Sequence, residues 1–264
     1  MPCLRAWFVF VTLALGPPWA HATEIRVEGT ELIVTLDDLG VTRGAAVAGM
    51  EVDLPELGTL RLEHAAQDDQ ARFKGLWLYQ AQLRPLGASE FVSLCAPDPH
   101  GDTRLALFSG YLDEEQRYIA DNARFSLSCT SGVQTKCLRW GYEPWRRAPR
   151  TGESLAPYFE ACVRMARADY CGDDRPSTRD GTVIDVYDRI GVQERAAGRP
   201  ELRFEAGWSP QGAVCVHHVR IAENAKLGAL REQCSRFALA EMGSACTESS
   251  ATQHGALLFN RSRP

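Results

Sequence analysis

The sequence predicts an α+β fold, and three observations carry that prediction. The stretch 23–83 alternates apolar and polar residues with period two, two later segments repeat apolar residues at helical spacing, and strands separate those two segments. With 264 residues, 45% of them hydrophobic and 24% charged, the chain can bury a sizeable core and is not a disordered polymer. A net charge of −5 argues against nucleic acid as a partner, since that requires a basic face. Beyond the N-terminus no apolar run approaches the ~20 residues a membrane-spanning helix needs, so no transmembrane segment is expected once a leader is removed.

Residues 1–22 carry the pattern of a secretory signal peptide. Arg5 supplies the positive end, 7–16 the apolar stretch, Pro17 and Pro18 its end, and Ala20-His21-Ala22 a small-x-small cleavage pattern. Cys3 precedes the apolar stretch instead of following it, which disfavours a lipoprotein. The expected location is exported, periplasmic or extracellular. Of nine cysteines, Cys3 leaves with the leader, and Cys95, Cys129, Cys137, Cys162, Cys171, Cys215, Cys234 and Cys246 remain. An even set in an exported chain implies disulfides, though sequence does not choose their connectivity.

Two regions are expected after the leader: a β-rich one at 23–93 and a Cys-rich one at 94–264. In the first, Ile25 and Val27 alternate with charges, Gly29-Thr30 turns the chain, and Leu32, Val34 and Leu36 alternate again, which is hairpin patterning. Further short runs stand at 59–63, 72–83, 105–112 and 123–129. A helix is predicted from Ser154 to Gly172, with Pro157 tolerable in its first turn. Its apolar side collects Leu155, Tyr158, Phe159, Cys162, Val163, Met165, Ala166 and Tyr170, with Glu160, Arg164 and Arg167 opposite. Strands at 182–190, 202–208 and 213–221 follow, the last two joined by a loop at 209–212. A second helix is predicted over 225–242, with Leu227, Leu230, Cys234 and Phe237 on one stripe.

Two segments are more distinctive than composition requires. One runs over 125–145 and contains Cys129, Cys137 and the string Trp140-Gly141-Tyr142-Glu143-Pro144-Trp145; the other contains Ala168-Asp169-Tyr170-Cys171 and continues to Thr182. Together they resemble the ADYC-domain family of exported bacterial proteins, named for that tetrapeptide. The resemblance extends through 208–216 and is expected to begin near Cys95. It implies a bacterial, exported context and carries over neither an activity nor catalytic residues.

The residues themselves offer several candidates. Asp169 falls inside the apolar stripe near the helix C-terminus, which is either a general acid–base position or a structural carboxylate bonded to the loop after Gly172 or to an arginine; the structural reading is preferred. Trp140, Tyr142 and Trp145, with Arg139, suggest an aromatic platform for a glycan, a peptide or an envelope component, against the alternative that they pack in the core. His217 and His218 are adjacent on an expected strand and point to opposite faces, so they do not form a two-histidine metal pair. Asp173, Asp174, Asp180, Asp185 and Asp188 are carboxylates of the type that suits Ca²⁺, but their spacing matches no calcium loop. No cofactor fingerprint, P-loop or nucleophile elbow is present. The reading is an exported non-catalytic binding or envelope-associated module, with a hydrolase using Asp169 and His217 or His218 as the alternative. Were Cys162 and Cys171 both helical, about 13.5 Å of axial rise would separate them, so they should not pair.

Overall fold

The computed structural model describes residues 22–36, 40–54, 56–237 and 241–264. Except for the backbone of Ala22, the expected leader lies outside these residues. Among the described residues the architecture is α+β, with four helices and several antiparallel sheets. The hairpin at Gly29-Thr30 forms, and β1 (Ala22–Glu28), β2 (Glu31–Leu36) and β3 (Gly40–Arg43) make a three-stranded sheet.

The second sheet holds β4 (Glu51–Leu54), β5 (Gly58–Gln67), β6 (Trp77–Pro85), β7 (Val92–Ser93) and β8 (Leu105–Ser109). A small hairpin of β9 (Tyr111–Leu112) and β10 (Tyr118–Ile119) precedes its last member, β11 (Phe125–Cys129). The strand order β11-β8-β6-β5-β4, with β7 beside β6, runs straight across the expected boundary at residues 93 and 94. Leu60, Leu62, Tyr79, Leu105 and Leu107 share one buried cluster with the first hairpin's Leu32 and Val34, so both sides of that boundary build one core.

Two helices follow, α1 (Val133–Arg139) and α2 (Ala156–Arg167). Short α1 has no sequence-level counterpart among the expectations. In α2, Phe159, Cys162, Val163 and Met165 face the core as the periodicity predicts. The helix stops five residues before Gly172, because Ala168 adopts a left-handed cap at φ 50°. The third sheet has the order β12-β15-β13-β14: β12 (Asp185–Asp188), β13 (Arg203–Ser209), β14 (Gly212–Val216) and β15 (Leu258–Ser262). The strands expected at 182–190 and 213–221 are thus shorter, and His217 and His218 lie just past the end of β14. The predicted helix over 225–242 is also shorter: α3 (Leu227–Gln233) ends where Cys234 turns extended, and a 3₁₀ turn at Ser235–Phe237 follows. Finally α4 (Glu248–Gln253) opens on a capping box between Thr247 and Ser250.

Four disulfides staple this arrangement: Cys95–Cys129, Cys137–Cys162, Cys171–Cys234 and Cys215–Cys246. Cys137–Cys162 ties α1 to α2. Cys162 and Cys171 do not pair with each other, but Cys171 lies beyond the end of α2 at Arg167, so a shared helical axis is not the reason. Among the described residues no helix is long and apolar enough to cross a membrane.

Candidate functional site

The segment after α2 is where the chain's buried polar groups converge. Asp169 is fully buried, and its carboxylate has four donors. Oδ1 accepts from the backbone N–H of Gly172 (2.9 Å) and of Asp173 (3.1 Å); Oδ2 accepts from the N–H of Asp174 (3.0 Å) and from Nη1 of Arg164 (2.5 Å). Arg164, expected on the exposed face of α2, is instead buried. Besides Asp169 it reaches two carbonyls, Pro210 in the β13–β14 turn and Glu115 in the β9–β10 turn. The end of α2 is thereby locked to two hairpins. A buried guanidinium is tolerable only when paired and bonded in this way.

Tyr170 stacks on the fully buried Trp208, ring centroids 5.3 Å apart. Its hydroxyl donates to Oε1 of Glu205 (3.0 Å) and accepts from the Arg220 backbone N–H (2.8 Å). Glu205 and Arg220 form a bidentate pair inside the protein, at 3.1 Å for each bond. The remaining Arg220 donors go to the Ala166 and Met165 carbonyls, which cap the C-terminal end of α2, and to Thr178. Asn260 donates to Glu205 (2.6 Å) and accepts from the Trp208 indole (2.8 Å), joining the network to β15. Burial raises the Glu205 carboxyl, but the Arg220 charge and hydrogen bonds outweigh it and hold the group below its ordinary value. Burial and the neighbouring Glu205 push the Tyr170 hydroxyl well above its ordinary value, so it stays protonated as a donor.

Gly172 completes this region. At φ +71° it occupies a conformation other residues resist, and an added Cβ would sit 1.9 Å from the Gln211 carbonyl oxygen. Gly172→Ala is expected to lose at least about 1–3 kcal/mol from backbone strain alone. Chemical denaturation of the variant beside the parent checks this.

The other candidates separate in space. Neither imidazole is among the partners of Asp169. His217 Nδ1 lies 3.2 Å from the Cys246 carbonyl, and His218 Nε2 lies 3.0 Å from the Ser262 hydroxyl. Burial, with smaller contributions from His217 and Arg220, lowers the His218 pKa against an opposing pull from Glu205. Tyr142 is in the core, its hydroxyl bonded to Asp188 (2.8 Å), so the aromatic platform cannot include it. Arg139 is held by Asp68 (2.6 Å) and Asp102 (3.0 Å). Trp140 and Trp145, both half-buried, open onto different cavities. Trp140 borders a cleft of about 510 Å³ with Val133, Val183, Ile184, Lys136 and Arg179. Trp145 borders a polar pocket of about 440 Å³ near the first hairpin.

The acidic cluster is used locally. Asp188 accepts from the N–H groups of Ile190, Gly191, Val192 and Gln193, Asp185 pairs with Arg261, Asp174 with Arg167, and Asp180 with Lys136. Among the described residues no group of three potential ligands is arranged to hold a metal ion.

A family model for the ADYC domain matches residues 43–222. The chain belongs to the ADYC-domain family. The match starts well upstream of Cys95, where the resemblance in sequence was expected to begin, in keeping with a central sheet whose strands lie on both sides of residue 94. No curated protein and no solved structure matches the chain. Within this ADYC domain every residue of the tetrapeptide has a structural task. Ala168 makes the left-handed cap, Asp169 gathers α2 and the following loop, Tyr170 joins the Glu205–Arg220 pair to Trp208, and Cys171 is crosslinked to Cys234.

Sequence reasoning missed Arg164, Glu205, Arg220 and Asn260. Only Arg164 left a local signal, its position five residues before Asp169. The others are distant in sequence, Glu205 and Asn260 on strands and Arg220 in the loop after β14, and carry no pattern that spacing reveals.

Proposed function

We propose that this ADYC-domain protein is an exported, periplasmic or extracellular binding module without catalytic activity, and that its contact surface is the cleft beside Trp140. The observation that carries the reading is the full engagement of Asp169. All four of its donors are backbone N–H groups or Arg164, which leaves the carboxylate no lone pair directed at a substrate. Four disulfides support export, since such bonds persist in oxidising compartments. The cleft volume of about 510 Å³ is in the range of ligand sites, and Val183, half-exposed, stands at its edge with Ile184. The apolar Val133, Trp140 and Ile184 share the lining with four cations, Lys136, Arg139, Arg179 and Arg220, and two carboxylates, Asp98 and Asp180. This excess of positive charge suits a peptide segment with apolar and acidic side chains better than a glycan.

The alternative, a hydrolase using Asp169 with His217 or His218, would require an imidazole at the carboxylate, and neither histidine hydrogen-bonds to it. A fluorescence titration with acidic–apolar peptide libraries tests the proposal. Saturable binding that Trp140→Ala weakens at least about tenfold, with parent-like circular dichroism, is expected. Turnover of an ester, peptide or glycoside substrate that disappears in a folded Asp169→Asn variant would overturn it.

A further inference from the structure

The pocket beside Trp145 is separate from the Trp140 cleft and has a different chemistry. Three segments meet there: the Gly29-Thr30 turn, the Gly75–Trp77 stretch and the Glu143–Arg146 stretch. Their relative positions are fixed by hydrogen bonds. Thr30 donates to the Gly75 carbonyl and accepts from the Trp77 N–H, while Arg146 donates to the Lys74 carbonyl. The edge of the Trp145 indole lies against Gly29, where a Cβ would come within 3.1 Å of its ring nitrogen.

Glu143 lines this pocket and is only 1% exposed. Its Oε2 accepts from Arg146 (2.7 Å), but its Oε1 is buried with no hydrogen-bond partner. A buried carboxylate oxygen without a donor is a costly arrangement. Burial pushes the Glu143 carboxyl up to about 6, against the pull of Arg146 and the Trp145 indole. Glu28 and Glu31 also line the pocket but are already paired with Arg26 and Arg43, and the lining cation Arg146 meets only one oxygen of Glu143, so the open acceptor is Glu143 Oε1. Two indoles, of Trp77 and Trp145, complete the walls.

We propose that this pocket binds a primary ammonium group on an aliphatic stem, as carried by a lysine side chain or a polyamine. The ammonium supplies the N–H donor that Oε1 lacks and a second counter-charge for Glu143, whose other oxygen is met by Arg146. The indole faces favour a cation and cover its apolar stem.

The test is a titration of the mature protein at pH 8, followed by the indole N–H signals of Trp77, Trp140, Trp145 and Trp208 in a nitrogen-correlated NMR spectrum. The probes are 1,5-diaminopentane and Nα-acetyl-lysine amide, with 1-pentanol and pentanoate as uncharged and anionic controls. Saturable shifts of Trp77 and Trp145, but not of Trp140, are expected with at least one amine and with neither control. Preference for the diamine or for the lysine derivative tells which source the pocket serves. Glu143→Gln, which keeps the shape, should weaken the response at least tenfold, and Trp145→Phe should reduce it while leaving the charge in place. No saturable shift with either amine, an equal response to 1-pentanol, or undiminished binding in a folded Glu143→Gln variant would overturn the proposal.

Discussion

Glu205→Ala is expected to destabilise the protein by about 3–5 kcal/mol, because it removes one partner of a buried ion pair and leaves the other without its counter-charge. Arg220 would keep its bonds to the Ala166 and Met165 carbonyls but lose both to the carboxylate. The Tyr170 hydroxyl and the Asn260 amide would each lose an acceptor as well. In a domain of ordinary stability, ~5–15 kcal/mol, that is a large share. The pH dependence has a definite sign. Glu205 titrates below its ordinary value, so its contribution is present above the ordinary carboxylate range and is lost as pH falls through the folded-state pKa. Urea unfolding at neutral pH should therefore separate parent and variant widely, and the gap should narrow in acid. Coincident transitions at pH 7 would show that the pair contributes nothing.

Asp169→Ala is expected to have an effect of similar size, about 3–5 kcal/mol, by the same principle applied to Arg164. The substitution also strands the N–H groups of Gly172, Asp173 and Asp174, although the latter two residues are exposed enough for water to replace part of the loss. Asp169→Asn keeps one acceptor oxygen and should be milder, at roughly half the loss. Thermal unfolding of both variants beside the parent reads the difference. A catalytic role without a structural one would leave both midpoints where the parent's is.

Much of this was legible in the sequence wherever the pattern was local. The first hairpin follows from apolar alternation on either side of Gly29-Thr30, broken only by the buried Ile33, and the core face of α2 follows from helical spacing. Asp169 stood out because a carboxylate interrupted that apolar stripe. Where tertiary contacts override local pattern, the sequence is silent or misleading. Arg164 looks like a solvent-facing residue until two hairpin turns close over it. The strand β15 is buried on both faces yet carries Asn260 and Arg261, so neither alternation nor an apolar run marks it. The second helix stops short because Cys234 turns toward Cys171, and a disulfide's connectivity has no signature in spacing. The Trp140–Trp145 segment reads as one surface in sequence, whereas its two indoles open onto different cavities and Tyr142 between them points inward to Asp188.

The Ala168–Cys171 tetrapeptide ties the ADYC domain together, with Asp169 as an acceptor for the loop that follows. Native-state hydrogen exchange at the amides of Gly172, Asp173 and Asp174 tests it most directly. All three are expected to be protected in the parent, despite the exposure of Asp173 and Asp174. Asp169→Ala, under conditions where the variant remains folded, is expected to remove that protection while amides of the β13–β15 ladder keep theirs. Exchange of the three amides at unstructured-peptide rates in the parent, or protection unchanged by Asp169→Ala, would contradict it.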